Sequence, residues 1–96
     1  MARKAWHSLP EYEAFRALME TGTTTAAASR LGLSQSAISR SIANLEARQG
    51  STLFERHGGR LRSTDEAMRL NRRLDPLFIA LDRIDGPSEP LRETLR

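Results

Sequence analysis

Apolar residues recur along this chain at two rhythms, a helical one and a brief alternating one, and the changes of rhythm mark its parts. Leu9, Tyr12, Phe15, Leu18 and Met19 keep the spacing of one helical stripe, with Glu11, Glu13 and Glu20 on the other side. Ser8 fits an N-cap, Pro10 a first-turn position and Gly22 a C-terminal stop, so a first helix is predicted between them. The run TTTAAASRLG opens on threonines able to cap and passes through Ala26, Ala27 and Ala28 to Leu31 and Gly32. That predicts a second helix of about two turns, with so little side-chain bulk that another helix can approach closely. Gly32-Leu33-Ser34 then forms a tight turn, Gly32 being open to a left-handed backbone and Ser34 placed to cap the next helix. Two helices joined in this way read as a helix-turn-helix.

The third helix, predicted over residues 34–48, carries an unusual polar face. On a helical projection Ile38, Ile42 and Leu45 cluster on one side, and Gln35, Ser36, Ser39 and Arg40 cluster roughly 120° away. A solvated face in so charged a chain should carry Glu and Lys; this one is small or amide-bearing through its first turns. Those turns are the part a recognition helix presents to the major groove. Glutamine can pair bidentately with adenine, arginine with guanine, and serine with a base edge or a phosphate, while short side chains let the helix sit deep.

After Gly50 the rhythm shortens. Thr52-Leu53-Phe54 and Arg60-Leu61-Arg62 alternate around His57-Gly58-Gly59, predicting a small hairpin whose glycines allow the turn. Arg56, Arg60 and Arg62 decorate it, as suits a basic wing against sugar-phosphate backbone or the minor groove. From Thr64 the helical rhythm returns, with Asp65 and Glu66 in the first turn where they suit the helix dipole. Ala67, Leu70, Leu74, Leu77, Leu81 and Ile84 alternate steps of three and four, as in a heptad seam. About 20 residues make a rod near 30 Å long, and its stripe calls for a cover, most simply a second copy of the same helix. Folding back over the first helix is the competing arrangement. Pro76 predicts a kink, or a fresh start with Asp75 as cap. The tail GPSEPLRETLR reads as a hinge or frayed end.

Composition narrows the class. Ninety-six residues allow one small domain that buries about 60 to 65 per cent of its extended surface. The net charge is only +3, but the bases are almost all arginine, and between Arg30 and Arg73 they face only Glu46, Glu55, Asp65 and Glu66. With a pI near 10.5, the balance favours an anionic partner, phosphate backbones first. Cysteine is absent, so disulfides and thiolate zinc sites are excluded and the core must suffice. No apolar run approaches the roughly 20 residues of a membrane span, and MARKAWHSLP lacks the apolar stretch of a secretory signal, so a cytoplasmic protein is expected. His7 and His57 have no helical neighbour at metal-ligand spacing, and no serine sits in a nucleophile elbow. No catalytic or metal-ligating residue and no cofactor is assigned. The few aromatic residues do not form a base-stacking sheet, which disfavours RNA.

The stretch GTTTAAASRLGLSQSAISRSIANLEARQGSTLFER resembles the winged helix-turn-helix of LysR-type transcriptional regulators. Their pattern appears here as Ala27-Ala28, Leu31, Ser34-Gln35, Ser39-Arg40, Ile42, Leu45-Glu46, Gly50 and Leu53-Phe54-Glu55-Arg56, in register without gaps, and the resemblance covers roughly residues 9–84. It implies a dimeric, sequence-specific DNA-binding domain reading an interrupted palindrome, with base contacts from Gln35, Ser39 and Arg40, Ser36 beside them where the family usually has proline, and Arg56 as a basic residue at the wing. Thr24 stands where the family often has Phe, Gly59 where it commonly has arginine, and Thr64-Asp65-Glu66-Ala67 replaces Thr-x-Ala-Gly. Family members continue into a larger effector-binding domain, which is missing from this chain.

The expected architecture is therefore mainly α: a winged helix-turn-helix over residues 1–63, made of a three-helix core and a short two-stranded wing, a linker and dimerisation helix over 64–85, and a hinge or disordered tail over 86–96. The expected DNA-contacting set is Thr24, Thr25, Ser34, Gln35, Ser36, Ser39, Arg40, Arg56, Arg60 and Arg62. The expected homodimer seam is Leu70, Leu74, Leu77, Phe78, Leu81 and Ile84. The alternative is a helix-turn-helix retained as a protein-protein interaction module.

Overall fold

The computed structural model describes residues 8–58 and 60–85; expectations for residues 1–7, for Gly59 and for the tail at 86–96 lie outside them. Four helices and one ribbon follow in the order α1 (Leu9–Thr21), α2 (Thr24–Leu31), α3 (Gln35–Gln49), β1 (Phe54–His57), β2 (Arg60–Ser63) and α4 (Asp65–Asp85). The mainly α winged helix-turn-helix expected from the sequence is what forms.

Each helix of the core buries the stripe that its spacing marked. Phe15 and Leu18 of α1, Ala27 and Ala28 of α2, and Ile38, Ile42 and Leu45 of α3 meet with Leu53 in one buried cluster. The alanines keep α2 close to its neighbours, because a larger side chain there would hold the helices apart. Phe15 also meets Phe54 of the wing, ring centroids 5.7 Å apart and tilted by 56°, an arrangement that suits the opposed charge of ring face and edge.

The cap assignments hold in part. Ser34 accepts the Ala37 N–H at 3.0 Å and Thr23 the Ala26 N–H at 3.1 Å. Ser8 has helical backbone angles and makes no side-chain cap bond to α1, so Pro10 alone starts that helix as expected. At the turn, Gly32 takes φ +66°, its N–H reaching the Ser29 carbonyl at 3.3 Å while the Leu33 N–H reaches that of Ala28 at 2.9 Å. This paired closure needs a left-handed residue, which glycine adopts without a Cβ penalty.

The ribbon sits later than its alternation suggested. Thr52 and Leu53 are not strand residues, and His57 belongs to β1, opposite Arg60, rather than to the turn. The cause is Glu46 of α3, whose Oε2 accepts the N–H of Leu53 at 2.7 Å and of Phe54 at 3.3 Å. Leu53 is thereby committed to the core, 1% exposed, before any ladder begins. Thr64 closes the other end, donating its hydroxyl to the Thr52 carbonyl at 2.7 Å and accepting the Ala67 N–H at 3.2 Å to start α4. Glu46→Gln removes the charge from two hydrogen bonds and should destabilise the fold by about 1 kcal/mol. A thermal melt checks this, an unchanged midpoint arguing against the anchor.

The predicted seam of α4 divides. Ala67, Leu70 and Leu74 are buried in the chain's own core, and Phe78 packs half-buried against it. Leu77, Leu81 and Ile84 are not in that core, and Ile84 is 77% exposed. Of the two arrangements weighed for this helix, folding back holds for its first half, while the second half carries the apolar residues left outside the core. Pro76 lies inside one continuous helix, so Asp75 starts no new element; it instead accepts a hydrogen bond from Arg16 of α1 at 2.6 Å. Glu66 pairs with Arg69 one turn on, at 2.6 Å, and holds that guanidinium above its ordinary pKa.

Candidate nucleic-acid interface

The closure at Gly32 fixes where α3 begins, and the cap at Ser34 fixes its first turn. With Ile38, Ile42 and Leu45 directed into the core, Gln35, Ser36, Ser39 and Arg40 can only face outward, and all four are exposed, as is Ser34. The spacing predicts these residues on a face away from the isoleucines, and the helix presents them so.

Two further elements border that face. Thr24 is half-buried and Thr25 exposed at the start of α2, where backbone amides lack intrahelical acceptors and the helix dipole favours an anion. The Thr24 hydroxyl lies 3.4 Å from Gln35 Oε1, a long contact that brings the two helix starts together. On the other border stands the ribbon. Directly opposed residues of an antiparallel pair share a face, so the register Phe54↔Ser63, Glu55↔Arg62, Arg56↔Leu61 and His57↔Arg60 separates the wing arginines. Arg56 shares the inner face with Phe54 and Leu61. Arg60 and Arg62 stand on the outer face with Glu55 and His57, whose Nε2 is 3.4 Å from Glu55 Oε1. Arg56 lines a cleft with Ser39 of α3 and Thr24 of α2, and lines a second with Arg60 and residues Thr23 to Thr25. Arg62 enters neither cleft, so the three arginines expected to act alike occupy two different settings.

Ion pairs divide the described arginines into two sets, and the unpaired set includes Arg72, Arg73 and Arg83 of α4 as well as the arginines of this surface. Arg16, Arg30, Arg48 and Arg69 engage Asp75, Glu20, Glu11 and Glu66, and Arg48 also lies over the Tyr12 ring. Among the described residues no carboxylate lies within ion-pair distance of Arg40, Arg56, Arg60 or Arg62. The acid nearest in sequence to the α3 face, Glu46, is occupied by the backbone of Leu53 and Phe54. Guanidinium groups left without a carboxylate, beside two helix N-termini, form a surface complementary to phosphate oxygens and base edges.

Two residues that position this site lie outside the expected set. Glu46 sets the wing, and its signal is an acid isolated in an arginine-rich stretch. Arg16 ties α1 to α4, reaching Asn71 Oδ1 at 2.8 Å as well as Asp75; nothing local in the sequence marks it, because its partners lie far along the chain. Among the described residues no group of three side chains could hold a metal ion, and no helix is long and apolar enough to cross a membrane.

Residues 9–68 match the family model for bacterial regulatory helix-turn-helix proteins of the lysR family. The chain is 43% identical over 84 residues to the regulatory protein NocR of Agrobacterium fabrum, covering 88% of this chain and 28% of that protein. It is 41% identical over 86 residues to the transcriptional activator protein LysR of Escherichia coli, covering 90% and 28% respectively. The chain thus spans under a third of the length of these relatives. Among solved structures, a LysR-family transcriptional regulator from Eggerthella lenta superposes with a TM-score of 0.64 at 34% identity, covering 67% of this chain and 91% of that one. The probable transcriptional regulator PA0477 of Pseudomonas aeruginosa gives 0.72 at 31%, covering 78% and 25%. The chain belongs to the LysR family of bacterial regulatory helix-turn-helix proteins.

Proposed function

We propose that this chain is the operator-reading part of a cytoplasmic transcription regulator, a binding module rather than an enzyme, acting as a homodimer on an interrupted palindrome in double-stranded DNA. The observation that carries this reading is the exposed small polar face of α3, Gln35, Ser36 and Ser39, bordered by Arg40, Arg56 and Arg60, which make no ion pair among the described residues. In this reading α3 enters the major groove with Gln35, Ser39 and Arg40 at base edges and Ser34 and Ser36 beside them, while Thr24, Thr25, Arg56 and Arg60 hold the flanking phosphates. Arg62, opposite Glu55, makes a weaker backbone contact. No cofactor takes part in this step, and sensing of any effector belongs to a further domain such as the longer relatives have room for.

The projecting half of α4 supplies the dimer contact. Leu77, Leu81 and Ile84 fall on one face at steps of four and three, a stripe that a two-fold axis can set against itself. Leu70 and Leu74 are committed to the head's own core and leave the partner only the distal seam. Two recognition helices related by the axis would then read two half-sites, as a palindrome requires.

Selection of bound duplexes from a random pool by the purified chain tests the reading directly. A shared, interrupted, inverted repeat among the selected sequences is the expected result; recovery of unrelated sequences would overturn it. Arg56→Gln or Arg60→Gln should weaken binding to every duplex and flatten the dependence on salt by about one ion for each phosphate no longer neutralised. Arg62→Gln should change the slope less, and equal slopes in all variants and the wild type would remove the wing from the interface.

A further inference from the structure

The cross-link from α1 to α4 is more than a surface ion pair. The Arg16 side chain is 21% exposed. Its Nη1 donates to Asp75 Oδ1 at 2.6 Å and to Asn71 Oδ1 at 2.8 Å, and lies 3.4 Å from the Asn71 carbonyl oxygen. Nε is 3.5 Å from Glu20 on its own helix, and the guanidinium carbon stands 5.0 Å from the centre of the Phe78 ring. Asn71, Asp75 and Phe78 follow one another at steps of four and three, so one arginine grips successive turns of α4.

Those turns bracket Pro76, which lies between Asp75 and Phe78. Proline at that position deletes a backbone hydrogen bond and crowds the preceding turn, so the helix is most easily bent there. The deeply buried contacts of α4 end at Leu74, and the half beyond carries the apolar stripe at Leu77, Leu81 and Ile84. Arg16 holds the near side of the proline through Asn71 and Asp75 and the far side through Phe78. It thereby fixes the direction in which the projecting half leaves the head.

We infer that Arg16 is a positioning residue for operator recognition: by clamping both sides of Pro76 it sets the angle between α3 and the distal half of α4, and hence the half-site spacing that the dimer accepts. The inference rests on the dimeric DNA reading proposed above. Nothing in it requires Arg16 to touch DNA; its effect is transmitted through α4.

The test compares the wild type with Arg16→Met, which keeps length and packing near Phe78 but loses the charge and the hydrogen-bonding fork, and Arg16→Lys, which keeps the charge alone. Because the chain has no cysteine, Ala47→Cys on exposed α3 and Arg83→Cys on exposed α4 accept spin labels without background. Diluted with unlabelled chain, they report the α3–α4 distance within one protomer. The distance distribution should broaden in Arg16→Met and Arg16→Lys with helicity unchanged. On the selected operator, Arg16→Met should bind the full two-half-site duplex at least tenfold more weakly, bind a single half-site within about twofold of the wild type, and suffer less than the wild type from one added or removed central base pair. Equal losses on half-site and full site, or an unchanged spacing profile with an unchanged distance distribution, would reduce Arg16 to a structural contact and overturn the inference. A wild-type chain that selects no duplex would overturn the DNA reading itself and this role with it.

Discussion

Leu77→Asp is expected to convert the proposed dimer into a folded monomer. The side chain is 37% exposed on the isolated chain and stands outside the head's core, so the substitution should leave helicity and thermal stability nearly unchanged. At a two-fold seam each change is met twice, and two aspartates would lose water without gaining a partner. At about 2 kcal/mol for each, association weakens by about 4 kcal/mol, roughly a thousandfold. Sedimentation over a concentration series measures it. The loss propagates to DNA, because a dimer delivers its second recognition helix at high effective concentration and a monomer does not. Full-operator affinity should therefore collapse toward that of a single half-site. Leu74→Asp is the contrasting variant: Leu74 is 8% exposed within the core, so its loss should unfold the head rather than separate two intact copies. A dimer that survives Leu77→Asp with unaltered Kd would move the interface elsewhere on the molecule, with Met68 and Ile79, exposed on the opposite face of α4, as the next surface to change.

Local pattern carried much of this structure. The stripe through Phe15 and Leu18, the alanines of α2 and the isoleucines of α3 each prescribe a helix and its buried side, because side-chain spacing alone decides which face a core can take up. The exposed polar face of α3 was legible for the same reason: once Ile38 and Ile42 are inside, Gln35, Ser39 and Arg40 must be outside. What spacing could not convey was competition between distant groups. The start of the wing moved because the Glu46 carboxylate takes the amide of Leu53 before a ladder can. The single heptad-like run through Leu70 and Leu81 looked like one seam, yet its first half is buried in the core of the same chain. Asp75 was a cap only if Pro76 opened a new helix rather than a kink; the helix runs on through Pro76, and Arg16, far away in sequence, holds the Asp75 carboxylate. Each difference is a tertiary contact overriding a sound local preference.

Arg40→Ala is expected to relax sequence preference at one base pair while leaving the fold intact. Arg40 is exposed in the early turns of α3, and among the described residues no carboxylate pairs with it. Its donors are therefore free for a base edge, and the planar fork fits the paired acceptors of guanine in the major groove. A good bidentate contact discriminates by about 1–3 kcal/mol, so affinity for the selected operator should fall by roughly 5- to 150-fold. Affinity for a scrambled duplex should barely move, since that binding rests on phosphate contacts from other arginines. The ratio of the two affinities is the decisive quantity. A phosphate-contacting arginine would lower both together and reduce the salt slope, whereas a base-reading one lowers the first and leaves the slope nearly unchanged. The comparison also fixes a position, because changing the operator base pair opposite Arg40 should cost the wild type what the substitution costs, and the substituted chain almost nothing further. If Arg40→Ala binds cognate and scrambled duplexes in the wild-type ratio, the first turns of α3 do not read bases through this side chain, and the unpaired arginines would serve only to hold the backbone.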